Sequence, residues 1–281
     1  CSDFTALAMD ALAVKLGSTI SSLVPGYVST EVDPRLSFDT EETLVRARRI
    51  VSMYEEVGVP RSRILVKIAA TWEGIVAAKT LEEEGISCNL TLIFSHVQGV
   101  ACAQADATLI SPFPGRVLDW HNDRRDSIPS SPEDDEGVQV VKKMHHYFRK
   151  FGLRKTILMP ASWRPSRGTS NSDFALDEIR ALAGVDRMTI PAPLLEALQA
   201  SSDPLPRLLE DDTCDPELAG RQLGVGEDLM DEKTFRYLLN LDGCGTDKLG
   251  EGLRSFITLT EQLEEVIEKK VEEALMAEVQ E

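Results

Sequence analysis

The chain alternates short apolar, β-rich runs with longer amphipathic ones, and few architectures accept that order. Candidate strands fall at residues 27–32, 64–69, 88–94, 107–111, 156–159 and 188–190. Helix-like stretches lie between them, at 40–56, 71–84, 95–105, 133–150, 172–183 and 191–201. Asp39 or Thr40 can cap the first helix, with Glu41 and Glu42 in its first turn. Gly85 stands where a C′ glycine ends the second. Such alternation, with strands apolar throughout, predicts a parallel sheet covered by helices, either doubly wound or a (β/α)8 barrel. A length of 281 residues suits one large α/β barrel or two small domains. Residues 121–135 and 165–173 read as surface excursions, and 201–230 as a long connection before two closing helices at 231–241 and 246–277. The last helix gathers Leu249, Leu253, Phe256, Ile257, Leu263 and Ile267 on one side, the pattern of a packing helix with a solvated opposite face.

Charge and spacing exclude several functions. Thirty Lys and Arg against 47 Asp and Glu give a net charge of −17, which leaves no surplus of cations for nucleic-acid or anionic-membrane phosphates. No apolar run is read as approaching the ~20 residues of a membrane span. Four scattered His lack metal-ligand spacing, so neither a metal nor a cofactor is expected. His145 and His146 are read as surface residues. Cysteines at 1, 88, 102, 214 and 244 show no close pairing and suggest reduced thiols and a cytoplasmic protein. Asn89-Leu90-Thr91 matches a glycosylation triplet but sits within an apolar strand, so it is set aside.

The chemistry concentrates around Lys67. A lysine inside a strand of aliphatic residues is costly unless it is paired or functional. Burial favours a neutral amine, the form that attacks carbonyls. By strand parity Leu65, Lys67 and Ala69 share a face, as do Asn89 with Thr91 and Ser29 with Glu31; Leu90 and Leu92 are assigned to the other side. Three successive strands thus place polar groups on one side of apolar segments, as a polar barrel interior would. A lysine, a carboxylate and a hydroxyl on one cavity meet the needs of Schiff-base formation, with Glu31 moving protons and Thr91 or Asn89 orienting water or a substrate hydroxyl. Arg116 and Arg164 each follow a candidate strand, where a phosphate site is expected; each alone is more often a surface ion-pair residue.

These segments also resemble a known family. VSTEVDPRLSFDT (28–40), ILVKIAATWEGI (64–75), ISCNLTLIFS (86–95), LISPFPGRVLDW (109–120) and ALAGVDRMTI (181–190) are similar to transaldolase, in the family's order. The resemblance runs from about Ala11 to the C-terminal helix. It implies a single domain over residues 1–281, a TIM-type (β/α)8 barrel lacking its first two βα units and bearing additional C-terminal helices. It implies transfer of a dihydroxyacetone unit between sugar phosphates in the pentose phosphate pathway. Lys67 matches the Schiff-base lysine, Glu31 the acid/base glutamate and Thr91 the residue positioning the catalytic water. Asn89 and Ser111 match donor-binding residues; Arg116, Ser162 and Arg164 match the phosphate-binding set.

Departures shape the remaining expectations. The family's first strand carries a proton-moving aspartate and its second a T-N-P-type asparagine, neither of which has a counterpart here. A fragment of a longer enzyme is favoured over a naturally shortened relative, and an open, marginally stable sheet with little turnover is expected. His96 stands where the family has an apolar residue, Pro160 precedes Ala-Ser-Trp-Arg, and the insertion 165–173 is read as a surface loop. A related Schiff-base aldolase and a non-catalytic paralogue remain alternative readings, and a homodimer is left open.

Overall fold

Parallel strands need long crossovers, and amphipathic helices supply them here. The computed structural model describes residues 3–168, 174–210, 214–224 and 228–278. In chain order the elements are α1 (Asp3–Leu23), β1 (Val28–Glu31), α2 (Thr40–Glu56), β2 (Ile64–Ala69), α3 (Trp72–Glu83), β3 (Cys88–Ile93), α4 (His96–Gln104) and β4 (Leu109–Pro112). There follow α5 (Pro114–Asn122), α6 (Glu136–Lys150), β5 (Ile157–Leu158), α7 (Asp177–Ala181), α8 (Ala192–Ala200), α9 (Pro216–Ala219), α10 (Glu232–Leu241) and α11 (Gly243–Glu278).

The strands form one parallel sheet in sequence order, β1 to β5. Ile64, Val66, Ile68, Leu90 and Ile110 point from its back into the main core, against Leu44, Ile50, Tyr54, Ile75 and Leu81 of the crossover helices. Each such side chain contributes roughly 1.5–3 kcal/mol on burial. Register then decides what meets on the front: Glu31 lies beside Lys67, Lys67 beside Asn89, and Ala69 beside Thr91.

The sixth expected strand, at 188–190, does not form. Arg187 and Thr189 donate backbone hydrogen bonds to Leu158 and Pro160 carbonyls (3.2 and 3.0 Å), so the segment lies along β5. Ladder pairing stops there because Pro160 has no N–H to return and the Trp163 indole takes the Thr189 carbonyl at 2.7 Å. Of the helix expected at 172–183, the described residues form only α7, and residues 172–173 lie outside them. α5 was hidden in a Pro-Phe-Pro-Gly sequence that reads as a turn, although Pro114 at its first position is pre-set for helix.

Three further expectations are corrected. His145 is fully buried, not on the surface, because both sides of α6 are covered; its Nε2 lies 3.3 Å from the Glu210 carbonyl, and burial pushes its imidazole down to about 4. The N-terminal segment forms α1, whose window Phe4–Leu23 is long and apolar enough by length and composition to cross a membrane, with mean hydropathy 1.2. One side of α1 nonetheless carries buried Asp10, paired with Arg46 and Arg49 of α2, while Leu16 and Leu23 face outward. The start of the 165–173 insertion is not a free loop either: Ser166 is buried and hydrogen-bonded to Glu178, and residues 169–173 lie outside the described set. Cys88, Cys102, Cys214 and Cys244 are free thiols, and Cys1 is outside the described residues.

Candidate active site

The site is assembled on the front face of the sheet, from the end of β1 across to β4. Lys67 projects from the front of β2 and its Nζ donates to Glu31 Oε2 at 3.2 Å. The pair retains access to solvent, with side-chain exposures of 24% and 32%. The lysine is thus held by a carboxylate and an aromatic ring rather than walled in by aliphatic groups alone. The ring is that of Phe256 on α11, its centroid 5.6 Å from Nζ.

Asn89 extends the front across the sheet. It is buried, gives its amide N–H to Ser29 Oγ at 3.1 Å and accepts from Ser111 Oγ at 2.9 Å. Strands β1, β3 and β4 are therefore joined by one side chain passing beside Lys67, each polar group satisfied. Thr91 is fully buried and its hydroxyl has no partner among the described residues. An orphaned hydroxyl at such a place is a ready seat for a water or a substrate oxygen.

The end of β3 departs from simple alternation. Leu92 adopts a left-handed φ of 57°, and the β3–β4 register shifts between Leu90 and Ile93. The turn brings Leu92 to the front, where it packs with Ala69, Phe94, Phe113, Leu249 and Leu253, contrary to its expected place beside Leu90. Gln98 makes this conformation tenable. Its amide nitrogen donates to the carbonyls of Ala70 and Leu92, both at 3.0 Å, and its oxygen accepts from the Phe94 and Ser95 N–H groups.

Arg116, Ser162 and Arg164 form a second group at the start of α5. Gly115 lets the 162–164 loop close upon the helix: a Cβ there would lie 2.2 Å from the Ser162 carbonyl oxygen and 2.6 Å from Arg164 N. Ser162 itself takes a left-handed φ of 60°. The Arg116 guanidinium lies over Phe113 at 5.4 Å, while Arg164 contacts Asp119 at 3.5 Å and the Trp163 carbonyl at 3.0 Å. A helix N-terminus flanked by two guanidinium groups and a hydroxyl favours an anion.

Helix α11 joins the groups. Gly252 approaches Leu92 and Arg116, its notional Cβ 2.8 Å from Leu92 Cδ2 and 3.6 Å from Arg116 Nη1. Phe256, about 6 Å further along the axis, faces Lys67. One stretch of helix therefore reaches a member of each of the two groups into which the eight residues singled out in the sequence fall. Gln98, Gly115, Gly252 and Phe256 were not singled out as site residues. A capping-box spacing from Ser95 to Gln98 was the available signal for the first. Among the described residues no group of three metal-ligating side chains is within reach of one ion.

The model of the Transaldolase/Fructose-6-phosphate aldolase family matches residues 3–267. The chain belongs to this transaldolase family. A protein named Transaldolase from Saccharomyces cerevisiae is 49% identical over 265 residues, covering 94% of this chain and 74% of the relative. Proteins of the same name from Alteromonas mediterranea and Rhizobium rhizogenes are each 44% identical, covering 94% of this chain and 77% and 76% of their own lengths. The transaldolase family is of TIM-barrel type, and the parallel strands in sequence order carry that architecture here.

Proposed function

We propose that the protein is a transaldolase working through a Schiff base at Lys67. It would move a dihydroxyacetone unit from sedoheptulose 7-phosphate to glyceraldehyde 3-phosphate, yielding erythrose 4-phosphate and fructose 6-phosphate in the pentose phosphate pathway of the cytoplasm. The observation that carries this reading is the Lys67–Glu31 pair at 3.2 Å, beneath the same helix that touches Arg116.

In the first step the Lys67 nitrogen attacks the C2 ketone of the donor. Glu31, within hydrogen-bond reach, gives a proton to the carbinolamine hydroxyl, which leaves as water, and the C=N bond forms. A water held by the Thr91 hydroxyl shuttles protons between these groups. Asn89 and Ser111 take the donor's hydroxyl groups, exchanging bonds they now make with one another. The iminium then accepts the electron pair of the C3–C4 bond while the C4 hydroxyl passes its proton through the Thr91-held water to the Glu31 carboxylate and becomes the aldehyde carbonyl; the aldose leaves, and the same sequence runs in reverse with the acceptor. Arg116, Arg164 and Ser162 hold the phosphate at the far end of either sugar, which fixes carbonyl and amine at reacting distance.

Reduction with borohydride in the presence of fructose 6-phosphate is expected to fix one sugar unit on the peptide containing Lys67, and Lys67→Ala is expected to abolish it. This half-reaction needs only the amine, the carboxylate and water. A sugar adduct that persists in Lys67→Ala, located by peptide mass spectrometry, overturns the assignment.

A further inference from the structure

The amine of Lys67 has two unlike neighbours, the Glu31 carboxylate and the ring of Phe256. The ring is fixed on both sides along α11. One turn before it, Gly252 allows the tight contact with Leu92. Two turns after it, Glu264 accepts from Arg35 Nη1 at 2.8 Å, and Arg35 Nε donates to Asp33 at 2.9 Å in the loop that follows β1. Phe256 also lines an apolar cavity of about 450 Å³ between α1 and α11, with Leu259, Leu263 and Glu31 among its walls. Lys67 is not one of those walls. The aromatic ring therefore stands between the amine and a space large enough for several water molecules, although Glu31 reaches both and Lys67 keeps partial exposure.

Resting on the Schiff-base reading above, we propose that Phe256 determines whether the covalent intermediate is passed to an acceptor or lost to water. The iminium carries a positive charge on the Lys67 nitrogen, and an aromatic face within about 6 Å stabilises such a cation. After the aldose departs, the three-carbon unit remains on Lys67 as an enamine in equilibrium with its iminium. Transfer forms a new bond from the enamine carbon to the acceptor aldehyde. Hydrolysis instead adds a water oxygen to the iminium carbon, moves a proton to nitrogen and breaks the C–N bond, releasing dihydroxyacetone and the free amine. By standing between the nitrogen and the cavity, Phe256 limits the water that reaches the iminium from that side. It is a specificity-determining residue for transfer.

The test compares the parent with Phe256→Ala, Phe256→Leu and Phe256→Tyr, using fructose 6-phosphate as donor. Dihydroxyacetone release without acceptor is measured against transfer to erythrose 4-phosphate, and borohydride trapping is timed in parallel. Phe256→Ala is expected to raise the hydrolysis-to-transfer ratio at least fivefold. Phe256→Leu keeps apolar bulk but loses the π face, so trapping should slow roughly 2- to 30-fold, with KM for the donor within about twofold. Phe256→Tyr should restore both readouts. Thr258→Ala, exposed on the same helix, should change neither. Unchanged partition and trapping in Phe256→Leu, with Lys67 still trapped in the parent, overturns the proposal. An equal shift in Thr258→Ala also overturns it, since helix displacement would then suffice. A parent that yields no adduct at Lys67 overturns the Schiff-base reading itself, and the proposal with it. Should Phe256→Ala fail to fold, the Leu and Tyr variants decide.

Discussion

The two halves of the site are built by different means. The amine half, Glu31, Lys67, Asn89, Thr91 and Ser111, hangs from four neighbouring strands whose backbone register fixes which side chains meet. The anion half, Arg116, Ser162 and Arg164, depends on a loop pressed against a helix start through Gly115. Sheet register is enforced by many hydrogen bonds and a buried back face, so one side chain can be exchanged without moving the others. A loop seated by one close approach has no such redundancy. Chemistry is thus entrusted to the sheet and recognition to the loop, and the two should fail separately.

Glu31→Gln is the severest attack on the amine half. The amide can still accept from Lys67 but cannot exchange protons, so kcat is expected to fall roughly 10²- to 10⁴-fold with donor KM little changed. A comparable rise in KM would show that Glu31 serves binding, and the division between halves would break. Gly115→Ala is the matching attack on the other half. Its Cβ would collide with the Ser162 carbonyl and Arg164 backbone, forcing the loop outward. Overpacking of about 1–3 kcal/mol, expressed as lost phosphate affinity, corresponds to a KM increase of roughly 5- to 150-fold. Adduct formation at Lys67 with unphosphorylated dihydroxyacetone should stay within about twofold. If that adduct disappears too, the halves are one mechanical unit.

The same division governs how much the sequence disclosed. Lys67 in an aliphatic strand, and the parity of Ser29, Glu31, Asn89 and Thr91, placed the amine half because period-2 alternation maps directly onto a sheet face. Leu92 escaped that logic because a left-handed residue reverses parity, and its support comes from Gln98, a side chain in the first turn of the helix that follows the strand. The strand at 188–190 failed for a related reason: its apolar pattern was right, but Pro160 and Trp163 on the facing segment intercepted the ladder. Phe256 was legible only as part of a packing stripe, since nothing local distinguishes a core aromatic from one that faces a reactive amine. His145 shows the reverse error, a polar pair taken for surface although Glu210, Cys214 and Asp215 lie against it.

A smaller effect probes the layer behind the amine half. His96 begins α4 directly after the end of β3, its ring edge-on to Tyr147 at 5.0 Å and its Nδ1 buried without a partner among the described residues. Burial, with Lys143 nearby, pushes its imidazole down to about 3. The unfolded chain takes up this proton near pH 6.5 while the folded protein refuses it, so stability is full above 6.5 and declines as pH falls toward 3. One proton costs about 1.4 kcal/mol per pH unit, which amounts to roughly 2 kcal/mol between pH 6.5 and 5. His96→Leu removes this contribution and the unpartnered nitrogen together. Urea midpoints of parent and variant should lie close at pH 7.5 and separate in the variant's favour by pH 5. His145, depressed to about 4, titrates in both proteins and leaves the difference intact. Parallel curves across that range would show that His96 is protonated with little penalty in the fold. Loss of transfer activity in His96→Leu at pH 7.5, with stability retained, would instead tie the support of β3 to catalysis and narrow the independence claimed for the amine half.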